Sequence, residues 1–166
     1  MCASSDAARA HETKVSLVGA ADGDTFVSMR KDTCLIAVVD DEDSVRKALG
    51  RLLRAAGFNV ETFASGSDFL RSVQDTRPHC VVLDLRMPRV NGFEVQRLLL
   101  QVDERMPVVV ITGDDSPATR VRALEQGAKA FLRKPVDDAL LIDAIQTAMR
   151  SSEVDQGPMV TPPPRS

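Results

Sequence analysis

The sequence is poor in cysteine, in net positive charge and in long apolar runs, and each shortage closes off a class of function. Its three cysteines, Cys2, Cys34 and Cys80, form an odd set with no Cys-x-x-Cys, and a single histidine, His79 beside Cys80, does not complete a ligand cluster. Neither a disulfide framework nor a zinc site is indicated, and a reducing cytoplasm is the simplest compartment. Cys34 and Cys80 each open an apolar run, where thiols are expected to be buried and structural. The net charge of −3 gives no basic footprint for nucleic acid. Apolar runs last only a handful of residues, far short of a membrane span. The N-terminus lacks the continuous apolar core of a secretory signal. Gly19 and Gly23 are not followed by Gly-Lys-Ser/Thr, so they make no phosphate loop. No internal repeat is visible.

What remains is an ordinary globular composition, 43% hydrophobic and 27% charged over 166 residues, which predicts about one domain. Residues 1–33 mix small and polar types without periodicity and read as a poorly ordered leader. From Leu35 a regular alternation begins. Leu35–Val39 reads as a strand, and Val45, Ala48, Leu49, Leu52, Leu53 and Ala56 follow as one stripe of a helix that Gly57 closes. Val60–Phe63 is a second strand. Ser65 caps a helix through Phe69, Leu70 and Val73, with Asp68 completing an imperfect capping box. Cys80–Asp84 is a continuous apolar strand, of the kind buried on both faces, that ends in a carboxylate. Pro88 and Asn91–Gly92 then mark a turn before a helix with Val95, Leu98, Leu99 and Val102 on one face. Val108–Thr112 is the fourth strand. A helix with Val121, Leu124 and Ala128 on its stripe closes at Gly127, Ala130–Arg133 is the fifth strand, and Asp137–Met149 the last helix. Residues 151–166, with four prolines, read as a disordered tail.

Strands alternating with helices imply an α/β fold, a doubly wound parallel sheet covered on both faces. The flavodoxin-like (βα)5 order 2-1-3-4-5 puts the topological switch between strands one and three, where ligands collect. The strand ends then bring Asp40, Asp41, Asp84, Thr112 and Lys134 to one edge of the sheet. Each has a dull explanation alone: an acidic helix start, a turn, a solvated lysine. Together they form three carboxylates, a hydroxyl and an ammonium in one crevice. Carboxylates so close repel, and a hard divalent cation such as Mg²⁺ is the natural remedy. Such a cation, a lysine and a hydroxyl donor are the equipment for a phosphoryl group, with a carboxylate as in-line nucleophile.

Four stretches, Val38–Val39–Asp40–Asp41–Glu42, Leu83–Asp84–Leu85–Arg86–Met87–Pro88 with Asn91–Gly92, Ile111–Thr112–Gly113 and Gly127–Ala128–Lys129–Ala130–Phe131–Leu132–Arg133–Lys134–Pro135, resemble the response-regulator receiver (CheY-like) family in order and spacing. The flavour is similar to FixJ-like receivers, which usually carry a DNA-binding domain. Residues after Arg150 are too few to form one. The resemblance implies a receiver domain over 34–150 and assigns roles within it. Asp84 is the phospho-acceptor. Asp41, Asp84 and the backbone carbonyl of Arg86 hold Mg²⁺ directly, with Asp40 acting through water. Lys134 pairs with phosphoryl oxygens, and the Lys134–Pro135 peptide is cis, as is typical of the family. Thr112 and Phe131 form the switch pair, although a strand Phe is equally a core residue. Arg86 and Asp114 flank the acceptor and the hydroxyl; a solvated loop acid is the plain alternative for Asp114.

The implied function is a stand-alone receiver of a two-component phosphorelay. It takes its phosphoryl group from a sensor histidine kinase or a histidine phosphotransfer protein. It acts on a downstream protein target through a surface on helix four, strand five and helix five. It is not an enzyme beyond its own phosphorylation and dephosphorylation, contacts no nucleic acid directly and no membrane, and a homodimer is left open. A pseudo-receiver that is never phosphorylated is the alternative reading. A metal-dependent phosphatase is disfavoured because Arg86 stands where its second Asp belongs. A flavin module is disfavoured because Asp40–Asp43 would repel the flavin phosphate.

Overall fold

A computed structural model describes residues 33–154. Five parallel strands, β1 (Leu35–Val39), β2 (Asn59–Phe63), β3 (Cys80–Asp84), β4 (Val108–Thr112) and β5 (Ala128–Arg133), form one sheet in the order β2-β1-β3-β4-β5. Five helices alternate with them: α1 (Asp43–Ala55), α2 (Gly66–Thr76), α3 (Gly92–Val102), α4 (Pro117–Glu125) and α5 (Asp138–Val154). This is the fold class that the alternation implied. β3 and β4 are buried along their whole length, which is why they read as unbroken apolar runs. β2, an edge strand, is partly exposed and mixes Asn59, Glu61 and Thr62 into its run.

Side chains alternate across the sheet and so build two cores. Ala37, Val39, Val81, Leu83 and Val110 face α2, α3 and α4, meeting Phe69, Val73, Val95, Leu99 and Ala123. Ile36, Val38, Val82, Val109 and Ile111 face α1 and α5, meeting Leu49, Leu53, Leu141 and Ile145. Cys34 and Cys80 lie in this second core, and burial pushes the Cys80 thiol up to about 12, so both behave as small apolar residues.

Several local expectations need correction. Ala128 belongs to β5, not to the preceding helix, and β5 therefore begins two residues earlier than expected. On α4 the anticipated inner stripe faces outward: Val121 is 53% and Leu124 44% exposed, while Ala123 is the buried residue. Val102 at the end of α3 is also exposed, and so is Ala48 on α1. Asp137 precedes α5, and its carboxylate accepts a hydrogen bond from the Leu140 N–H at 3.0 Å. α5 runs on to Val154, so the first four residues assigned to the tail are helical. The leader and the rest of the tail lie outside the described residues.

Candidate functional site

The carboxyl ends of β1 and β3 lie side by side, with Val39 paired to Leu83. The residues that follow are held by local polar contacts. Asp40 is fully buried; its Oδ1 accepts the Glu42 N–H at 2.9 Å, and its backbone carbonyl accepts Arg46 Nη1 at 2.8 Å. Asp84 closes β3, 3% exposed, and its Oδ1 accepts the Arg86 N–H at 3.1 Å. Asp41 is exposed at the rim.

Lys134 reaches both buried carboxylates. Its Nζ stands 2.8 Å from Asp40 Oδ2 and 3.3 Å from Asp84 Oδ2. The Lys134 N–H donates to Thr112 O at 2.8 Å, which ties this residue to the end of β4; the Lys134–Pro135 peptide is cis. Burial pushes the Asp84 carboxyl up to about 6, against the pull of Lys134 and of the Arg86 N–H. Burial opposes the charge on Lys134, but Asp40 and Asp84 hold its pKa above the ordinary lysine value.

Asp40, Asp41 and Asp84 each place one carboxylate oxygen within 4.8 Å of the others. Three hard oxygen donors at that spacing fit a small divalent cation such as Mg²⁺. One ammonium against three carboxylates leaves the cluster short of positive charge, which is the second reason that a cation fits.

Thr112, fully buried, ends β4 one strand over, where its neighbour Ile111 pairs with Asp84. Its Oγ1 accepts the Asp114 N–H at 3.1 Å. Phe131 is 8% exposed and lies in the core opposite Val110, with the Arg120 guanidinium 5.6 Å from its ring centroid. Asp114 is no solvated loop acid. Its Oδ2 meets Arg86 Nη2 at 3.1 Å and accepts Thr119 Oγ1 at 3.0 Å, and its Oδ1 accepts the Ser116 N–H at 3.1 Å. The Ser116 N–H, with Arg86 and Thr119, holds its carboxyl down at about 2. Leu85, Arg86, Met87, Asn91, Phe93, Thr112, Asp114 and Thr119 line an open cleft of about 500 Å³ beside Asp84.

The structure brings the residues of this crevice together at one sheet edge, and Asp114 there has two partners that sequence reasoning missed. Ser116 and Thr119 were legible as a capping pair, Ser-x-x-Thr ahead of a helix. Gln96, buried inside α3, gave no signal, because a polar residue at that spacing reads as part of a solvated face.

The chain is similar to known proteins over most of this region. A family model for the response regulator receiver domain matches residues 36–146. The response regulator protein TmoT of Ectopseudomonas mendocina is 36% identical over 122 residues, 74% of this chain and 56% of the relative. The response regulator MprA of Mycobacterium sp. (strain KMS) is 38% identical over 123 residues, 74% of this chain and 54% of the relative. The chain thus spans about half the length of the curated relatives it matches. Among solved structures, FixJ-N is 38% identical with a TM-score of 0.66, covering 70% of this chain and 94% of that one. The Vibrio cholerae chemotaxis protein CheY4 is 28% identical with a TM-score of 0.66, covering 69% and 98%.

Proposed function

The chain belongs to the response-regulator receiver family, and on that premise we propose that it is a phosphorylation switch with Asp84 as its acceptor. Receiver domains take their phosphoryl group from histidine kinases within two-component systems and bind Mg²⁺ at an acidic pocket. The observation that carries the reading is the position of Lys134 between the two buried carboxylates at the switch point of the sheet.

In the proposed reaction a carboxylate oxygen of Asp84 attacks the phosphorus of a phosphohistidine. The P–N bond breaks, the imidazole leaves, and an acyl phosphate forms on Asp84. The carboxyl value of about 6 leaves the nucleophile mostly ionised at pH 7.5. Lys134, freed from Asp84, is within reach of a phosphoryl oxygen, and the Thr112 hydroxyl, which accepts the Asp114 N–H, turns to donate its own proton to another oxygen. Asp40, Asp41, Asp84 and the carbonyl of Arg86 are the proposed Mg²⁺ ligands, Asp40 through water. Mg²⁺ held there supplies neutralising charge for the phosphoryl oxygens. The switch is then a shift between two arrangements of the Thr112 loop, Phe131 and α4.

We further propose that the domain passes on its state through protein contacts on the α4–β5–α5 side, in the cytoplasm, without itself touching nucleic acid. Exposed Val121, Leu124 and Leu140 supply apolar contact area on that side. No described helix is long and apolar enough to cross a membrane.

The test is the intact mass after incubation with acetyl phosphate and Mg²⁺. One added phosphoryl group in the wild type, absent in Asp84→Asn and after chelation, supports the reading. No adduct in the wild type, under conditions that slow hydrolysis, replaces it with a pseudo-receiver.

A further inference from the structure

α4 is fastened differently at its two ends. At its start the contacts are polar and lead back to the site. Thr119 Oγ1 donates to Asp114 Oδ2, the Ser116 side chain caps the Thr119 N–H at 3.3 Å, and the Asp114 N–H donates to Thr112 Oγ1. Asp114 also holds Arg86, two residues beyond the acceptor. These hydrogen bonds are part-buried, and they connect through Asp114 to Thr112 Oγ1, which accepts the Asp114 N–H.

At its end the helix rests on a dry contact. A helix leaves its last carbonyls without partners inside the helix, and each needs one from outside. Arg122 O accepts the Gln126 N–H and Leu124 O accepts the Gly127 N–H, each at 3.0 Å. The carbonyl between them, Ala123 O, accepts Gln96 Nε2 at 3.1 Å. Gln96 is 1% exposed and lies in α3, across the interface; Ala123 is the buried residue of α4. The acceptor at Ala123 fixes which way the amide faces, since its oxygen there would meet another oxygen. Gln96 Oε1 is buried with no hydrogen-bond partner, a cost tolerated only where the amide is held by its other end.

We propose that Gln96 is the pivot of α4: its side-chain amide holds the last turn of the helix to α3 while the first turn moves. The inference rests on the phosphorylation reading above and names the residue that converts a change at Thr112 into a rotation of α4. Exposed Val121 lies between the moving end and the fixed carbonyl of Ala123, so a small tilt redirects it, while Leu124, just beyond Ala123, stays with the held turn. Gln96 touches neither the acceptor nor the proposed metal ligands; it is a positioning residue.

The test uses the full chain, labelled with ¹⁵N, before and after beryllofluoride with Mg²⁺. The Thr119 and Arg120 amides are expected to shift strongly. The Gln96 side-chain NH₂ signals are expected to stay nearly unmoved and slow to exchange with solvent. A Gln96 amide that shifts as much as Thr119, or begins to exchange freely, overturns the pivot. In Gln96→Met, which keeps the side-chain length and removes the donor, the last turn of α4 is expected to lose about tenfold of its hydrogen-exchange protection. The α1 and α5 amides report that the fold is intact. Unchanged protection at Glu125 and Gln126 in that folded variant also overturns the proposal. A wild type with no beryllofluoride response anywhere sinks the phosphorylation reading and the pivot with it. A response at Asp84 accompanied by movement of Gln96 sinks the pivot alone.

Discussion

Gly92 sits directly against the end of the strand that carries Asp84: a Cβ built on Gly92 would stand 2.5 Å from the Asp84 carbonyl oxygen. The next atom it would meet is Leu85 Cα at 2.6 Å, so the obstacle is backbone and cannot rotate aside. The first residue of α3 thereby packs against the strand end that carries Asp84 with no room for a side chain. Gly92→Ala is expected to destabilise the domain by about 2 kcal/mol in urea denaturation. It is also expected to slow phosphorylation by acetyl phosphate, because the residue that must move is Asp84. A variant with wild-type stability and rate would show that the strand end has slack.

Asp84 is kept charged at neutral pH against its surroundings. Its carboxyl is raised to about 6, so the folded state binds its proton more tightly than the unfolded chain does. Stability therefore falls as pH rises from the ordinary carboxylate value through 6, and the whole penalty is present above that. Asp84→Asn is expected to raise the Tm of the metal-free protein at pH 7.5 and to give little change at pH 4. An equal gain at both pH values would trace the effect to something other than ionisation.

Lys134 is the counter-charge for two buried acids. Lys134→Met removes it and leaves Asp40 and Asp84 facing each other, at a cost on the order of 2 kcal/mol in the metal-free protein. Mg²⁺ is expected to recover more stability in the variant than in the wild type, because it is then the remaining cation available to the cluster. Denaturation curves with and without Mg²⁺ measure both. If the divalent ion stabilises the two proteins equally, the ammonium and the metal do not share these carboxylates.

The Arg86–Asp114 pair is exposed on the arginine side, with 71% of that side chain in solvent. Arg86→Ala is therefore expected to change stability by less than about 1 kcal/mol. The same guanidinium lines the cleft beside Asp84, and its loss admits water to that side. The phosphoryl group on Asp84 is expected to live a few-fold shorter in Arg86→Ala, followed by the decay of the phosphorylated mass. An unchanged lifetime would confine Arg86 to the contact with Asp114.

How far the sequence foretells this molecule differs from element to element. β3 and β4 announce themselves because a strand covered on both faces must be apolar at every position, and the residue at which the run stops is the residue that reaches the crevice. Asp84 and Thr112 were found in this way. α4 misleads for the opposite reason. It packs through the small side chain of Ala123 and presents Val121 and Leu124 outward, so its apolar spacing describes a surface meant for something else. Ala128 followed the same false stripe out of β5. Gln96 and Asp114 were invisible or undervalued because their partners lie on other elements: the Ala123 carbonyl on one, Arg86 on another. A one-dimensional pattern records what a residue is and not what it faces.

Because all five strands run the same way, the crevice and the chain's points of entry and exit are at opposite poles. The carboxylates cluster at the carboxyl ends of β1 and β3, while Leu35 begins β1 at the far end, where its N–H donates to His79 just before β3. α5 sets out from the crevice side and travels back, so that Met149, Ser152 and Glu153 finish beside Pro78, His79 and Pro107. A folded unit joined directly at Thr33 or Val154 would meet the domain at that pole. Such a junction would leave the carboxylate pole open, and modular reuse of the domain comes with that polarity.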